Sequence, residues 1–264
     1  MSGAEPAIEP QHIAEATADA AATEGGVEPR GRAFIDLHCH SAYSFDALSH
    51  PADIVRVAAE RGLTHIAITD HERLDGALEA RDRAPAGLTV IIGEEIRSAD
   101  GDVLGLFLRE AVPPGLSARE TIVAIHEQGG LAGLPHPFDH FRHSGLAGDR
   151  DVALEELAGG LDFIEAYNAR VAFGDANERA AEFALRHGLP GVASSDAHSL
   201  LEVGVACTIV TGPLRTPDQL RAALAQVTLM PGHASYLVRG LTPLAKLINR
   251  TRGNRRVHPG TPAR

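Results

Sequence analysis

The chain has 264 residues, a formal net charge of -11, 44% hydrophobic residues and only two cysteines, Cys39 and Cys207. Its acidity argues against a broad nucleic-acid-binding surface, though not against a nucleotide in a local pocket, and it equally suits plain solubility. Two cysteines exclude a disulfide framework and a thiolate zinc site.

Residues 1–31 are rich in Ala, Glu, Gly and Pro and read as a disordered N-terminal tail. They contain no apolar signal-peptide core, and no apolar run in the chain is long enough to span a bilayer, so a reducing cytoplasm is the expected compartment. Strand and helix signals then alternate. Strands are expected over 33–38, 64–69, 88–93, 102–108, 131–134, 161–166, 191–195 and 205–211. Helices are expected over 51–61, 74–83, 117–128, 153–157, 175–187, 217–225 and 236–248. Ser117 with Glu120 makes a capping box, and Gly188 closes the helix before it. A basic C-terminal tail is expected over 249–264, leaving one domain over 32–248. Alternation implies an α/β fold with a mainly parallel sheet. The pattern suits a closed barrel and an open doubly wound sheet alike.

The first strand runs into His38-Cys39-His40. Residues two apart on a strand share a face, so the imidazoles point together and Cys39 points away. Other polar residues follow later strands: Asp70-His71, Glu94-Glu95, His136, Tyr167-Asn168 and Asp196-Ala197-His198. In a parallel barrel these ends lie on one face, where catalytic groups gather. Asp70 and Asp196 also suit helix N-caps, and only one of Glu94 and Glu95 can point inward. Asp46 lies in the loop after His40. Imidazoles and carboxylates without thiolate suit zinc, manganese or iron, and the donors exceed what one ion needs.

In this order, His38-Cys-His40, Thr69-Asp70-His71, Gly93-Glu-Glu95, His136-Pro137 and Ser195-Asp196-Ala-His198 resemble the polymerase and histidinol phosphatase (PHP) family of metal-dependent phosphoesterases. The resemblance covers about 33–232. It implies a distorted, TIM-like (βα)7 barrel with two or three divalent ions at the C-terminal ends of the strands. By position, His38, His40, Glu95 and Asp196 would hold one ion. Glu95 and His136 would hold a second, and Asp46, His71 and His198 a third. Asp102 stands where the family often has a histidine ligand of the second ion; it is a ligand or an ordinary turn residue.

The resemblance further implies hydrolysis of a small phosphomonoester or nucleotide-type phosphate by a metal-bridged hydroxide, with Asp46 and His198 assisting the leaving oxygen. Arg142, His143, Asn168 and Arg170 are the candidate substrate contacts, the arginines having a surface salt bridge as their alternative. A 5′-exonuclease on short oligonucleotides and a non-catalytic metal-binding scaffold are the other readings. The oligomeric state is not legible in the sequence.

Overall fold

The structure, a computed structural model, describes residues 31–139, 150–171, 174–235, 238 and 241–255. Nine strands are described: β1 (Arg32–Asp36), β2 (His65–Ile68), β3 (Thr89–Arg97), β4 (Asp102–Leu106), β5 (Leu131–Leu134), β6 (Phe163–Asn168), β7 (Gly191–Ser194), β8 (Cys207–Thr211) and β9 (Thr228–Met230). The described helices are α1 (Pro51–Glu60), α2 (Asp75–Arg83), α3 (Ala118–Glu127), α4 (Arg150–Leu157), α5 (Ala176–His187), α6 (Pro217–Ala223) and α7 (Leu241–Thr251).

The strands form one sheet in the order β7-β6-β5-β4-β3-β2-β1-β8-β9. It curls into a nearly closed barrel, which decides between the two sheet forms the pattern allowed. The seam lies between β7 and the β1–β8 edge. Ser195 N donates to Asp36 Oδ1 at 3.0 Å, and His40 N donates to Ala197 O at 2.8 Å. Strands β1, β2 and β3 run parallel, as do β5, β6 and β7. The sheet is less parallel than alternation suggests, because β4 is antiparallel to both neighbours and β8 and β9 are antiparallel additions.

With few aromatics, the barrel is filled by aliphatic side chains: Ile35, Leu37, Ala67, Ile91, Leu104, Leu131 and Val192, around Phe163. Gly133 is required there, because a Cβ would collide with the Phe163 ring. The alternate faces of the strands pack on the helices. Ile54, Val55, Ala77 and Ala80 of α1 and α2 cover Ile66 and Ile68. Ile122 and Ile125 of α3 and Phe183 of α5 cover Ile96, Val103 and Ile164. Local signals set the helix ends. The Ser117–Glu120 capping box forms, an arrangement worth about 1 kcal/mol. Gly188 ends α5 in the left-handed region at φ 63°.

The C-terminal boundary needs correction. The tail expected from 249 instead continues as α7 to Thr251, and Asn249 is buried. No described helix is long and apolar enough to cross a membrane.

Candidate metal centre

Beyond Asp36 the chain leaves the β1 ladder, and Cys39 forms an isolated parallel bridge with Ala197. Cys39 packs outward among Ile54, Ile66 and Ile68. His38 and His40 turn into the barrel opening, with their Nε2 atoms 3.0 Å apart. Glu95 Oε2 lies 3.3 Å from His38 Nε2 and 3.2 Å from His40 Nε2. Asp196 Oδ1 lies 3.6 and 3.5 Å from the same two atoms. Four ligands at about 2.1 Å in a tetrahedron stand about 3.4 Å apart. The observed spacings are those of donors arranged around an ion.

His40 also joins a second group with Asp46, His71 and His198. Asp46 Oδ1 is 3.6 Å from His71 Nε2, and its Oδ2 is 3.4 Å from His198 Nε2. Glu95 connects the groups: Oε2 approaches His71 Nδ1 at 3.4 Å, while Oε1 faces His136 Nε2 at 3.3 Å. Strand β3 persists through Arg97, so Glu95 points into the barrel. Glu94 points outward and accepts from Val112 N at 2.9 Å.

The electrostatics favour cations. Burial disfavours charge on Glu95, yet His71 and His38 hold its carboxyl well below the usual range. Burial likewise opposes charge on Asp46, and His198 and His71 prevail. The imidazoles respond in kind. Burial lowers His71, but Glu95 and Asp46 lift it to about 10. His38 is raised despite burial by Asp196, Glu165 and Glu95. His198 differs, because burial and the Arg170 guanidinium push it down to about 3. Its lone pair is therefore available at neutral pH.

No hydrogen-bond partner reaches Asp46 Oδ1, His71 Nδ1 or His136 Nε2, though all are buried. Such orphaned atoms are costly unless something binds them. Two donor groups, of four and of three residues, fit divalent ions with nitrogen and oxygen ligands. The corner between Glu95 Oε1 and His136 Nε2 has two donors and fits less well. Left-handed backbone at His136 (φ 28°) and Asp196 (φ 50°) aims these side chains, at a cost of about 1–3 kcal/mol each.

Several supporting residues escape sequence reasoning. Glu165 Oε1 meets His38 Nδ1 at 2.9 Å, and Oε2 accepts from His136 N and Asn168 Nδ2. Its one signal is a charge inside an apolar strand. Asp70 is neither ligand nor helix cap. It accepts from Ser41 N, Ser41 Oγ and Ser44 Oγ, which braces the loop before Asp46. Asn249 Nδ2 donates to Ser44 O at 3.0 Å and Ala47 O at 2.8 Å, tying α7 to that loop. Asn249→Ala would strand two carbonyl groups at a cost of about 1–3 kcal/mol. In a chain of this size that lowers Tm by about 2–10 °C. Thermal scans with and without metal check this, and stabilisation by metal should shrink in the variant as Asp46 loosens.

The expected substrate contacts divide. Asn168 is fully buried, and its amide donates to Glu165 Oε2 and Asp196 Oδ2. It orients both carboxylates. Arg170 is not the surface bridge that was its alternative. It is buried against Glu202 at 3.5 Å and donates to Thr242 Oγ1 at 2.8 Å. Arg142 and His143 lie outside the described residues. Asp102 joins neither donor group; its Oδ1 accepts from Arg97 Nη1 at 2.9 Å.

The PHP domain model matches residues 36–164, and a PHP-associated model matches residues 174–228. An uncharacterised protein of Methanocaldococcus jannaschii is 39% identical over 145 residues, covering 51% of this chain and 81% of the relative. Among solved structures, a two-domain protein from Bacteroides vulgatus containing a predicted PHP-like metal-dependent phosphoesterase superposes with TM-score 0.63. The identity is 21%, over 76% of this chain and 65% of that one. A lesion-specific endonuclease from Pyrococcus furiosus superposes with TM-score 0.58 at 20% identity, over 75% and 58%.

Proposed function

The chain belongs to the PHP domain family, and from that premise we propose that it is a metal-dependent phosphoesterase acting on a small phosphomonoester or nucleotide-type phosphate. One observation carries the reading: two donor groups share His40 at one barrel opening, with Glu95 reaching across both. His38, His40, Glu95 and Asp196 would hold one ion, and Asp46, His71 and His198 another. When bound, such ions supply a water of lowered pKa and positive charge for the phosphoryl oxygens.

The residues of the chain set the rest. Asp46, Glu95, Glu165 and Asp196 are buried together, so an anionic substrate meets repulsion until cations fill the site. Glu165 fixes the tautomer of His38 by holding Nδ1, which leaves Nε2 for the ion. Asp46 and His198 act as donors to a cation. With Asp46 held ionised and His198 neutral, neither is a proton source at neutral pH. Lys246 Nζ stands 3.9 Å from Asp46 Oδ2 at the rim, where it adds positive charge for an incoming phosphate.

The test is hydrolysis of an aryl phosphate, a metabolite panel and short 5′-phosphorylated oligonucleotides, with manganese, zinc and iron. Metal-dependent release of phosphate from a monoester is expected. Turnover of oligonucleotides alone would favour an exonuclease, which would extend the fold likeness to the endonuclease into function. Bound metal without turnover of any substrate would make the chain a scaffold.

A further inference from the structure

Arg97 lies two residues beyond Glu95 on the inward face of β3. Strand register sets it directly opposite Asp102 of β4, so both share the face that carries Glu95. The pair is joined at 2.9 Å, with the carboxylate side chain 2% exposed and the guanidinium side chain 19% exposed. The carboxylate is therefore the buried brace, and the guanidinium reaches toward the opening. Leu104 faces Gly133 across β4 and β5, so Asp102 is level with the residues just after β5, beside His136. Arg97 thus stands one step beyond Glu95 toward the barrel opening, on the side where β4 and β5 lead to His136.

The corner between Glu95 Oε1 and His136 Nε2 offers an ion two donors, whereas the two groups around His40 each bring three or more. Asp102, a further carboxylate on this face at that level, is engaged with Arg97. A guanidinium is charged at every relevant pH. Placed here it opposes another cation and presents a planar fork that matches phosphate oxygens.

We propose that Arg97, braced by Asp102, stands in for a third ion and binds the terminal phosphate of the substrate. This rests on the phosphoesterase reading and narrows it. Two ions and a guanidinium fork together call for three non-bridging oxygens. A phosphomonoester has three, whereas a diester has two.

The experiment uses the full, metal-loaded chain with Arg97→Met and Arg97→Lys. Ion content is measured by mass spectrometry, inorganic phosphate binding by calorimetry, and kinetics with mono- and bis-aryl phosphates. The wild-type chain should hold about two ions and prefer the monoester. Arg97→Met should keep the ion content while phosphate affinity and the KM for the monoester worsen about 10- to 100-fold. Arg97→Lys keeps Asp102 paired and should recover part of the loss. If Arg97→Met does not fold, the lysine variant still reads out the missing fork as weakened phosphate binding. Three ions in the wild-type chain, or phosphate affinity unchanged in both variants, would overturn the proposal. Absence of turnover with every ester would defeat the phosphoesterase reading, while ion content and phosphate calorimetry would still decide the role of Arg97.

Discussion

His40→Ala should abolish phosphate release, lowering turnover about a thousandfold or more, and should strip metal from both donor groups. The reason is its position. His40 Nε2 lies within 3.5 Å of both Glu95 Oε2 and Asp196 Oδ1. Its ring centroid is 4.7 Å from that of His71 and 4.4 Å from that of His198. Its Nδ1 meets Ser44 Oγ at 3.1 Å, which couples it to the Asp46 loop. No other imidazole belongs to both groups among the described residues. Bound-ion content and hydrolysis of an aryl phosphate measure the effect, with circular dichroism confirming the fold. His65→Ala is the control. His65 opens β2 at the opposite end of the barrel, so turnover should stay within about twofold. Turnover surviving in His40→Ala would remove the site from this barrel opening.

Chelation should destabilise the protein more as pH rises. In the metal-free chain, His71 carries a proton to about pH 10 because Glu95 and Asp46 outweigh its burial, whereas its ordinary value is 6.5. Between those values the folded chain binds a proton that the unfolded chain lacks. The stability this supplies is complete below about pH 6.5 and is lost as pH climbs through 10. A bound ion replaces the proton, and ion binding strengthens as pH rises because fewer protons must leave. These are two sides of one linkage, since the proton lost from His71 is the one the ion displaces. From about pH 7 to about pH 9.5 the gap between metal-loaded and chelated protein should widen by a few kcal/mol, or about 5 °C or more in Tm. Paired thermal scans with and without chelator check it; a gap that narrows with pH would mean that no ion takes the place of these protons.

The chain shows where local signals suffice. Strand β5 occupies 131–134 as expected, and the α3 cap forms as Ser117 and Glu120 dictate. The cap depends on contacts within a few residues, and the strand is marked by its apolar run although β4 and β6 complete its ladder. β3 is longer than its apolar run, which breaks at Glu94-Glu95. The strand continues because β4 folds back and completes its ladder through Arg97. β9 carries no signal in the sequence because three residues hold too little periodicity, and only pairing with Cys207 to Ile209 makes them a strand.

The candidate site divides along the same line. The order of His38, His40, His71, Glu95, His136, Asp196 and His198 along the chain pointed to one barrel opening, because each follows or ends a strand. The sequence alone thus determined the α/β class, the donor chemistry and the outward placement of Cys39, while closure of the sheet into a barrel was left to the tertiary structure. Tertiary structure decided what each donor is tied to. Glu165 braces His38 across 127 residues, and Asn249 braces the Asp46 loop across more than 200. It also set Asn168 between Glu165 and Asp196, laid Arg170 against Glu202, and paired Asp102 with Arg97. Periodicity reports which face a side chain takes on its own strand. A hydrogen bond between distant segments needs the closed barrel to bring its two atoms within 3 Å, and no local pattern records that distance.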